Sequence, residues 1–365
     1  MNFKMIKIYN LNNCDLSYKN ASYGGMAGSK EGIIFEGQEW LVKYPQSLYA
    51  LQGTTVSYST SPLSEFIGSH IYSILGYDVH KTILAIRNGK LVVACKDFAT
   101  KNKMLLEMRT IKNFYNKDLC DISDGSRLSS SQTHTVDIGE LMLHFEKNPV
   151  LKQVKGIEER FFEQSIIDIF IGNNDRNNGN WGILREPNKP DALAPIYDNG
   201  ASFNSKLSDE KLLSVYNSPE FTNQSTNIVT AYGLKGHHFS AKKFFKFFES
   251  NPTFIRSMQN IIPKINNTFD DIKKMIYEIP EKVIQENGET IEVISEIRKK
   301  IYFEQLKKRY EVLLLPEFEY LKSQPRDSIL TDMTGIEHTA DKIEAFIEDD
   351  GFDDIEKENK REISR

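Results

Sequence analysis

Cysteine and long apolar runs are scarce in this sequence of 365 residues. The three cysteines, Cys14, Cys95 and Cys120, belong to no paired motif, so they imply no metal-thiolate site and fit a reducing compartment. No stretch approaches the roughly 18 apolar residues of a membrane helix, and the first residues lack the apolar segment of a signal peptide. We therefore expect a soluble cytoplasmic protein.

Positive charge is not in excess either. The chain has 46 Lys and Arg against 51 Asp and Glu, which gives a formal net charge of −5. This balance gives no reason to expect nucleic-acid binding. At this length the chain can bury a substantial core and form two or three domains or lobes.

The most informative stretch is residues 171–184, IGNNDRNNGNWGIL. Asp175 and Asn180 have the Asp-x-x-x-x-Asn spacing of a kinase catalytic loop, in which the Asp orients the attacking hydroxyl and the Asn ligates a metal ion. Asp198 follows in an Asp-x-Gly triplet and would be the main magnesium carboxylate, because hard oxygen ligands suit that ion. The pattern therefore predicts phosphoryl transfer.

Two other interpretations compete with this one. An Asn- and Gly-rich stretch is often only a surface turn, but this one follows an apolar helical pattern and precedes a strand-like Trp-Gly-Ile-Leu segment. Residues 194–197 are predicted to form a further strand that leads to Asp198. A calcium-binding loop would need alternating ligands and a terminal Glu, which this spacing lacks.

Two β-hairpins are predicted in the first hundred residues. Residues 33–35 and 40–44 have strand character and flank a Glu-Gly turn. Residues 82–87 and 90–98 flank Asn88-Gly89, which is a strong hairpin signal.

A single helix is predicted between the hairpins. Ser61 can cap it, Pro62 suits its first position and Gly76 can end it, with apolar residues at helical spacing between them. A small sheet with one helix is the plan of a kinase N-lobe.

The remainder is predicted to be mostly helical. Helices are expected over residues 241–249, 254–277 and 292–315, with a polar loop at residues 126–135. The predicted fold is therefore α+β, bilobal and protein-kinase-like. Its parts are a β-rich N-lobe (1–98), a helical C-lobe that carries the catalytic loop (99–322) and an acidic, flexible tail (323–365).

Lys43 is the candidate phosphate-binding lysine. Strand alternation in Trp-Leu-Val-Lys-Tyr puts it opposite Trp40 and Val42, and a lysine on an inward strand face needs a partner. The predicted partner is Glu65 on the following helix, which gives the strand-lysine to helix-glutamate pair that holds nucleotide phosphates in kinases.

A glycine-rich segment precedes the first hairpin. Glycines let backbone N–H groups approach phosphates closely. The nucleotide-binding candidates in this segment are Gly24, Gly25, Gly28, Ser29 and Lys30. Their order and spacing do not fit a Walker A motif, which excludes a P-loop NTPase.

The end of the second hairpin lies where a kinase hinge would run. The segment reads Val-Ala-Cys-Lys-Asp-Phe, and an exposed backbone there could hydrogen-bond adenine. Cys95 and Asp97 are therefore further candidates for nucleotide contacts.

These motifs together resemble those of the HipA-like serine/threonine kinases, in particular their small, secreted type. The matching segments are GG-x-x-G-x-K near the start, W-L-V-K-Y-P at the lysine, S-E-F before the apolar helix, V-V-A-C-K-D-F at the hinge, G-N-x-D-R-x-x-G-N-W-G-x-L and A-P-I-x-D-x-G. They cover about residues 22–205.

The resemblance implies dependence on ATP and Mg²⁺ and phosphorylation of Ser or Thr in protein substrates. By position, Lys43 would contact the phosphates with Glu65 as its support. Asp175 would be the base, while Asn180 and Asp198 would hold metal. The resemblance also implies a role as toxin or effector, an antitoxin or a host protein as partner and, for an effector, secretion without a cleavable signal peptide.

One departure from the family pattern concerns the catalytic loop. The family usually has Asp-Arg-His, and Asn177 replaces the His here. If that His braces the loop, Asn can substitute through hydrogen bonds; if its role is more direct, activity would be reduced. The family also often autophosphorylates near the nucleotide loop, where Ser29 and the hydroxyl cluster from Ser57 to Ser61 are the candidates.

Two alternatives to a protein kinase remain open. A phosphoinositide-type lipid kinase shares the order of the catalytic motifs, although the sequence has no basic cluster suited to an inositol headgroup. A nucleotide-binding pseudokinase would act through protein interaction instead. The residues whose retention opposes a pseudokinase are Lys43, Asp175, Asn180 and Asp198.

Overall fold

A computed structural model gives the structure of residues 5–19, 30–47, 59–119 and 135–324. The first part contains a five-stranded sheet. Its strands are β1 (Tyr9–Asn10), β2 (Lys30–Phe35), β3 (Gln38–Lys43), β4 (Thr82–Arg87) and β5 (Lys90–Lys96). They lie in the order β1-β4-β5-β3-β2, with β1 parallel to β4 and the other neighbours antiparallel.

Two tight turns set the register of this sheet. Both central residues of each turn have positive φ, 50° and 68° at Glu36 and Gly37, and 52° and 68° at Asn88 and Gly89. Such turns match the twist of the strands that they join. Both predicted hairpins are therefore present, although β5 ends at Lys96 rather than at the predicted residue 98.

α1 (Ser61–Ile74) packs against β4 and β5 on one face of the sheet. Pro62 lies in its first turn as predicted. The predicted cap is wrong by one residue, because Thr60 occupies the N-cap without a side-chain hydrogen bond and Ser61 is already helical. Gly76 follows the helix with a φ of 87°, a conformation that glycine adopts without strain.

The rest of the described chain is mostly helical. Its helices are α2 (Met108–Leu119), α3 (Ile138–Lys147), α4 (Pro149–Lys152), α5 (Ile157–Ile171), α6 (Asp209–Tyr216), α7 (Phe221–Thr226), α8 (Ala241–Phe248), α9 (Pro252–Tyr277), α10 (Glu296–Arg309) and α11 (Leu315–Ser323). A π-helical turn, Tyr310–Leu314, joins the last two.

Three small sheets complete this part of the chain. Their strands are β6 (Met104–Glu107), β7 (Val136–Asp137), β8 (Gly182–Arg185), β9 (Ala192–Leu193), β10 (Val229–Leu234), β11 (His237–Ser240), β12 (Lys282–Ile284) and β13 (Thr290–Glu292). The strand orders are β6-β8-β9, β11-β10-β7 and β12-β13.

α5 is the central helix of this part. Its side chains are buried on nearly all sides, and α9 packs along it. The buried Arg309 donates to the main-chain oxygens of Phe170 at 3.2 Å and Ser225 at 2.9 Å, so it satisfies a carbonyl at the end of α5. Gly172 ends the helix with a φ of 72°, and a Cβ there would lie 2.8 Å from the Arg309 guanidinium.

The helix predicted over residues 292–315 is present from Glu296 onward, but it begins later than predicted and contains a π-helical turn. Val293 N–H donates to the main-chain oxygen of Glu281 at 2.7 Å, which keeps the chain beside β12 and β13. α10 begins only after Ser295, whose hydroxyl caps it by accepting from Arg298 N–H at 3.1 Å. The other two predicted helices are present as α8 and α9, and α9 begins two residues early because Asn251 caps it.

The predicted α+β class is confirmed, with the sheet before the helical part. No helix in the described part of the chain combines the length and apolar character that a bilayer span requires. Cys120, most of the loop predicted at residues 126–135 and the tail beyond residue 324 lie outside the described residues. The lobe boundaries at residues 98 and 322 stay predictions.

Candidate active site

The predicted catalytic loop connects α5 to β8. Short-range hydrogen bonds hold its shape: Asn173 Oδ1 accepts from Asp175 N–H at 3.2 Å, and Asn180 N–H donates to the main-chain oxygen of Asn177 at 2.9 Å. Asparagine side chains favour such local bonds over helix. The loop therefore leaves α5 and turns back to β8 within a few residues.

Two asparagines hold Asp175 in place. Asn177 Nδ2 donates to Asp175 Oδ1 at 3.0 Å, and Asn177 Oδ1 accepts from Gly179 N–H at 2.8 Å. Asn180 Nδ2 donates to the main-chain oxygen of Asp175 at 2.5 Å. The Asp175 side chain is exposed. Asn177 thus braces the loop through hydrogen bonds, which is one of the two roles considered for the residue at this position.

Arg176 is buried directly after Asp175. Its Nε and Nη2 donate to the two carboxylate oxygens of Asp168 on α5, at 2.7 and 2.9 Å. A bidentate interaction of this kind fixes both the position and the orientation of the Arg176 guanidinium. Arg176 was not among the predicted site residues, although its place in the catalytic motif was an available signal.

The same guanidinium also joins the catalytic loop to the segment that carries Asp198. Arg176 Nη1 donates to the main-chain oxygens of Asn180, at 2.9 Å, and of Tyr197. Its Nη2 donates to Asn199 Oδ1 at 2.6 Å. Asn180 is therefore held beside the residues that flank Asp198.

Asp198 lies in a left-handed conformation with a φ of 61°. The strand predicted over residues 194–197 is wrong, since β9 ends before it and Ile196 makes only an isolated bridge with Val79. Main-chain bonds of Ile196 to Asp78 and His80 hold this segment instead. The Asp198 side chain is 33% exposed.

Lys43 connects the sheet, α1 and Asp198. Trp40 and Val42 are buried in a core on the far side of the sheet, so alternation turns Lys43 towards α1. Its Nζ lies 2.8 Å from Glu65 Oε2 and 2.8 Å from Asp198 Oδ1. The predicted pair of Lys43 and Glu65 is formed in the structure.

The charges in this cluster shift one another's pKa values. Burial alone would raise the pKa of the Glu65 carboxyl, but the Lys43 ammonium and the His80 ring hold it well below its ordinary range. Burial would likewise raise the pKa of Asp198, and Lys43 lowers it. Burial would lower the pKa of Lys43, and the two carboxylates raise it well above its ordinary value. All three groups therefore stay charged near neutral pH.

His80 and Asn199 complete the surroundings of Glu65, and neither was predicted as a site residue. His80 Nε2 lies 3.0 Å from Glu65 Oε1, and Asn199 N–H donates to the same oxygen at 3.0 Å. Cys95, His80 and Glu65 have potential metal-ligand atoms within 4.8 Å of one another. Both Glu65 oxygens are already engaged, so this cluster needs no ion. Asn199 lay inside the Asp-x-Gly triplet, whereas no motif pointed to His80.

One cavity of about 560 Å³ opens in front of Lys43. The predicted site residues that line it are Lys30, Lys43, Glu65, Asp175 and Asp198. Further along, it is lined by Ser205, Lys206, Val229, Thr230 and His238. The volume is in the range of small-molecule sites. Gly24, Gly25, Gly28 and Ser29 lie outside the described residues.

The predicted hinge contacts need correction. Cys95 pairs with Leu41 of β3 and with Thr82 of β4, so its backbone lies inside the sheet and is not exposed as predicted. The Asp97 carboxylate accepts from Lys19 Nζ at 2.8 Å, and its N–H donates to the main-chain oxygen of Glu39. Neither residue lines the cavity described above.

Comparison with known proteins gives one related sequence. No protein-family model matches the chain. Serine/threonine-protein kinase CtkA of Helicobacter pylori strain J99 is 29% identical over 219 residues, which are 57% of this chain and 63% of CtkA. The match thus spans less than two thirds of that relative.

Two solved structures share the fold. The crystal structure of the H. pylori proinflammatory kinase CtkA superposes with a TM-score of 0.72 at 22% identity, covering 87% of this chain and all of the other. HipA of Shewanella oneidensis MR-1, solved with HipB and operator DNA, superposes with a TM-score of 0.51 at 15% identity, covering 83% of this chain and 68% of the other. These similarities confirm the predicted resemblance to the HipA-like serine/threonine kinases, and the chain has their bilobal α+β fold.

Proposed function

We propose that this chain is an ATP- and Mg²⁺-dependent serine/threonine protein kinase. The observation that carries the proposal is the placing of Lys43, Asp198 and Asp175 around one cavity, with Lys43 held between Glu65 and Asp198. A lysine for the phosphates, a carboxylate for the metal and a carboxylate for the acceptor hydroxyl are the parts that phosphoryl transfer requires. The similarity to CtkA, whose name gives this activity, supports the same conclusion.

The residues present fit magnesium and a nucleotide. Among the described residues, the Asp198 carboxylate accepts a hydrogen bond only at Oδ1, from Lys43, so Oδ2 is the ligand atom that it offers. Asn180 donates through Nδ2 to Asp175, which leaves its side-chain oxygen as a second ligand. Lys30 and Lys43 supply positive charge for phosphates at the same cavity. When bound, Mg²⁺ would neutralise charge on the transferring phosphate.

The chain's own groups then have separable tasks. Lys43 remains protonated because its pKa is raised, so it can donate to phosphate oxygens while Glu65 holds its position. Asp175 presents an exposed carboxylate to the cavity, where it would accept a hydrogen bond from the acceptor hydroxyl and orient it for attack.

The proposal has two further parts: which hydroxyl groups accept the phosphate, and what role the kinase has in the cell. Autophosphorylation at Ser29 or between Ser57 and Ser61 stays a prediction. Within the second of these segments, Ser61 lines the cavity, and its Oγ lies 2.9 Å from the Oγ of the buried Ser59. The toxin or effector role, an antitoxin or host partner and secretion rest on the resemblance alone.

The proposal is tested by transfer of the labelled γ-phosphate of ATP to protein. We expect Mg²⁺-dependent labelling of Ser or Thr, abolished by chelation and reduced at least about a hundredfold in Asp198→Asn, which weakens the metal site. The matched control is Asp191→Asn, because Asp191 pairs with the exposed Arg185 at 2.5 Å, away from the cavity. It should label like the wild type.

Other outcomes separate the alternatives. Transfer to phosphoinositide in vesicles but not to protein would contradict a protein kinase in favour of a lipid kinase. Nucleotide binding without any transfer would favour a pseudokinase.

Asn177 gives a second prediction. Asn177→Ala removes the hydrogen bond to Asp175 Oδ1 and the acceptor for Gly179 N–H. Loss of one bond to a carboxylate should lower kcat by about tenfold, with little change in KM for ATP. Asn177→His, which restores the residue usual in the family, should retain at least half of the wild-type kcat. Equal loss in both variants would contradict a bracing role.

A further inference from the structure

A ring of buried polar contacts lies behind Lys43. Glu65 Oε1 accepts from Asn199 N–H at 3.0 Å and lies 3.0 Å from His80 Nε2. Ser69 Oγ lies 3.1 Å from the same His80 nitrogen and accepts from Asn199 Nδ2 at 3.0 Å. These four residues close the ring, and none of them is more than 6% exposed.

His80 contacts Glu65 through Nε2. A carboxylate only accepts hydrogen bonds, so His80 supports Glu65 in the tautomer that carries its proton on Nε2. The main chain of His80 is fixed as well, because its N–H donates to the oxygen of Ile196 at 3.0 Å, two residues before Asp198. His80 therefore links Glu65 to the segment that carries Asp198.

The ring belongs to a polar stripe along α1. Glu65, Ser69 and Tyr72 lie on one face at helical spacing, and Tyr72 Oη donates to Asp168 Oδ1 at 2.8 Å. Because Gly68 has no side chain, α1 can approach the segment that carries Asn199 closely; a Cβ at Gly68 would lie 2.9 Å from Asn199 Cβ. Buried polar groups need partners, and the partners of this stripe come from the segments that build the active site.

We propose that His80 is a positioning residue of the active site: it fixes the Glu65 carboxylate and thereby places the Lys43 ammonium for the nucleotide phosphates. This inference rests on the proposed function and adds a residue that the family motifs do not supply. Without His80, Glu65 Oε1 keeps only the bond from Asn199 N–H, and its carboxylate can turn away from Lys43. Asn199 ties the same carboxylate to the Asp198 segment, and Ser69 holds the Asn199 side chain, so the phosphate and metal halves of the site assemble together.

The test measures where the Lys43 amine lies, independently of turnover. An acyl-phosphate derivative of ATP acylates a lysine held at the phosphates, and peptide mass spectrometry quantifies labelling at Lys43. We expect His80→Leu, which keeps bulk but removes the donor, to lower the labelling rate about tenfold. His80→Gln, which can place a donor near the position of Nε2, should retain at least half of it.

Three further variants make the test specific. His70→Leu is the matched control, because His70 lies on α1, the helix that carries Glu65 and Ser69, and its imidazole bonds to the main-chain oxygen of Phe66 at 2.9 Å, away from the four-residue ring. It should label like the wild type. In a Glu65→Gln background, His80→Leu should have no further effect, since the two residues act through one contact. Ser69→Ala should give a smaller loss than His80→Leu, and it replaces that variant if His80→Leu fails to fold.

The outcomes are distinct. Wild-type labelling in folded His80→Leu, or in Ser69→Ala where that variant stands in, would overturn the positioning role while leaving the kinase proposal intact. Equal, additive losses in the wild-type and Glu65→Gln backgrounds would also overturn it. Failure of the wild type to label at Lys43 would instead contradict the nucleotide site, and with it the proposed function.

Discussion

Replacing Asp175 by alanine should lower phosphoryl transfer by about three orders of magnitude, the range expected for loss of a group that orients and deprotonates the acceptor. Nucleotide binding should change little. The Asp175 side chain is exposed, and among the described residues its carboxylate accepts a hydrogen bond only from Asn177. Its removal therefore leaves Lys43 and Asp198 in place.

This prediction is checked by kcat from γ-phosphate transfer together with the dissociation constant of ATP from calorimetry. Asp191→Ala serves as the control for removing a carboxylate at the surface, and both of its values should match the wild type. A loss of ATP affinity in Asp175→Ala as large as the loss of rate would contradict the assignment, because it would put Asp175 in nucleotide binding rather than in transfer.

Replacing Arg176 by methionine should have the largest effect on stability. The substitution removes both bonds from Arg176 to the buried Asp168 carboxylate, whose charge then keeps only the neutral donors Tyr72 and Asn173. It also removes the donors to Asn180, Tyr197 and Asn199. Breaking a buried ion pair by removing one partner costs about 3–5 kcal/mol of unfolding free energy. Arg176→Lys should lose much of the same stability, because an ammonium cannot form the two parallel bonds.

Denaturant unfolding followed by circular dichroism measures the difference. Arg185→Met is the matched control, since Arg185 makes a similar pair with Asp191 but is 44% exposed. A surface pair of this kind contributes less than about 1 kcal/mol. Similar shifts in the unfolding midpoint for Arg176→Met and Arg185→Met would contradict the central role of Arg176.

The parts of the site that the sequence predicted are those with a local signature. Strand alternation alone turned Lys43 towards the helix, and the Asn88-Gly89 turn set the pairing of β4 with β5. The spacing of Asp175 and Asn180 is likewise contained in one loop. Such features depend on neighbouring residues, so a single sequence reveals them.

The parts that were missed depend on contacts between distant segments. His80, Ser69 and Asn199 meet only because α1 packs against the segment after Asp198. Periodicity shows which face of a helix is buried, but it does not name the partner of a buried polar group. The wrong end of β5, the hinge assignment of Cys95 and the wrong start of the helix predicted from residue 292 have the same origin. In each case a main-chain bond to another strand or loop decides where an element begins or ends.

The buried polar stripe of α1 also determines how the molecule can move. Ser64 Oγ donates to the main-chain oxygen of Ser202 at 2.8 Å, and Tyr72 donates to Asp168 on α5. By chain order α1 belongs with the sheet, and it packs against β4 and β5, yet these buried bonds also tie it to the helical part. Opening of the cleft would therefore have to break either the packing of α1 on the sheet or its buried bonds to Ser202 and Asp168.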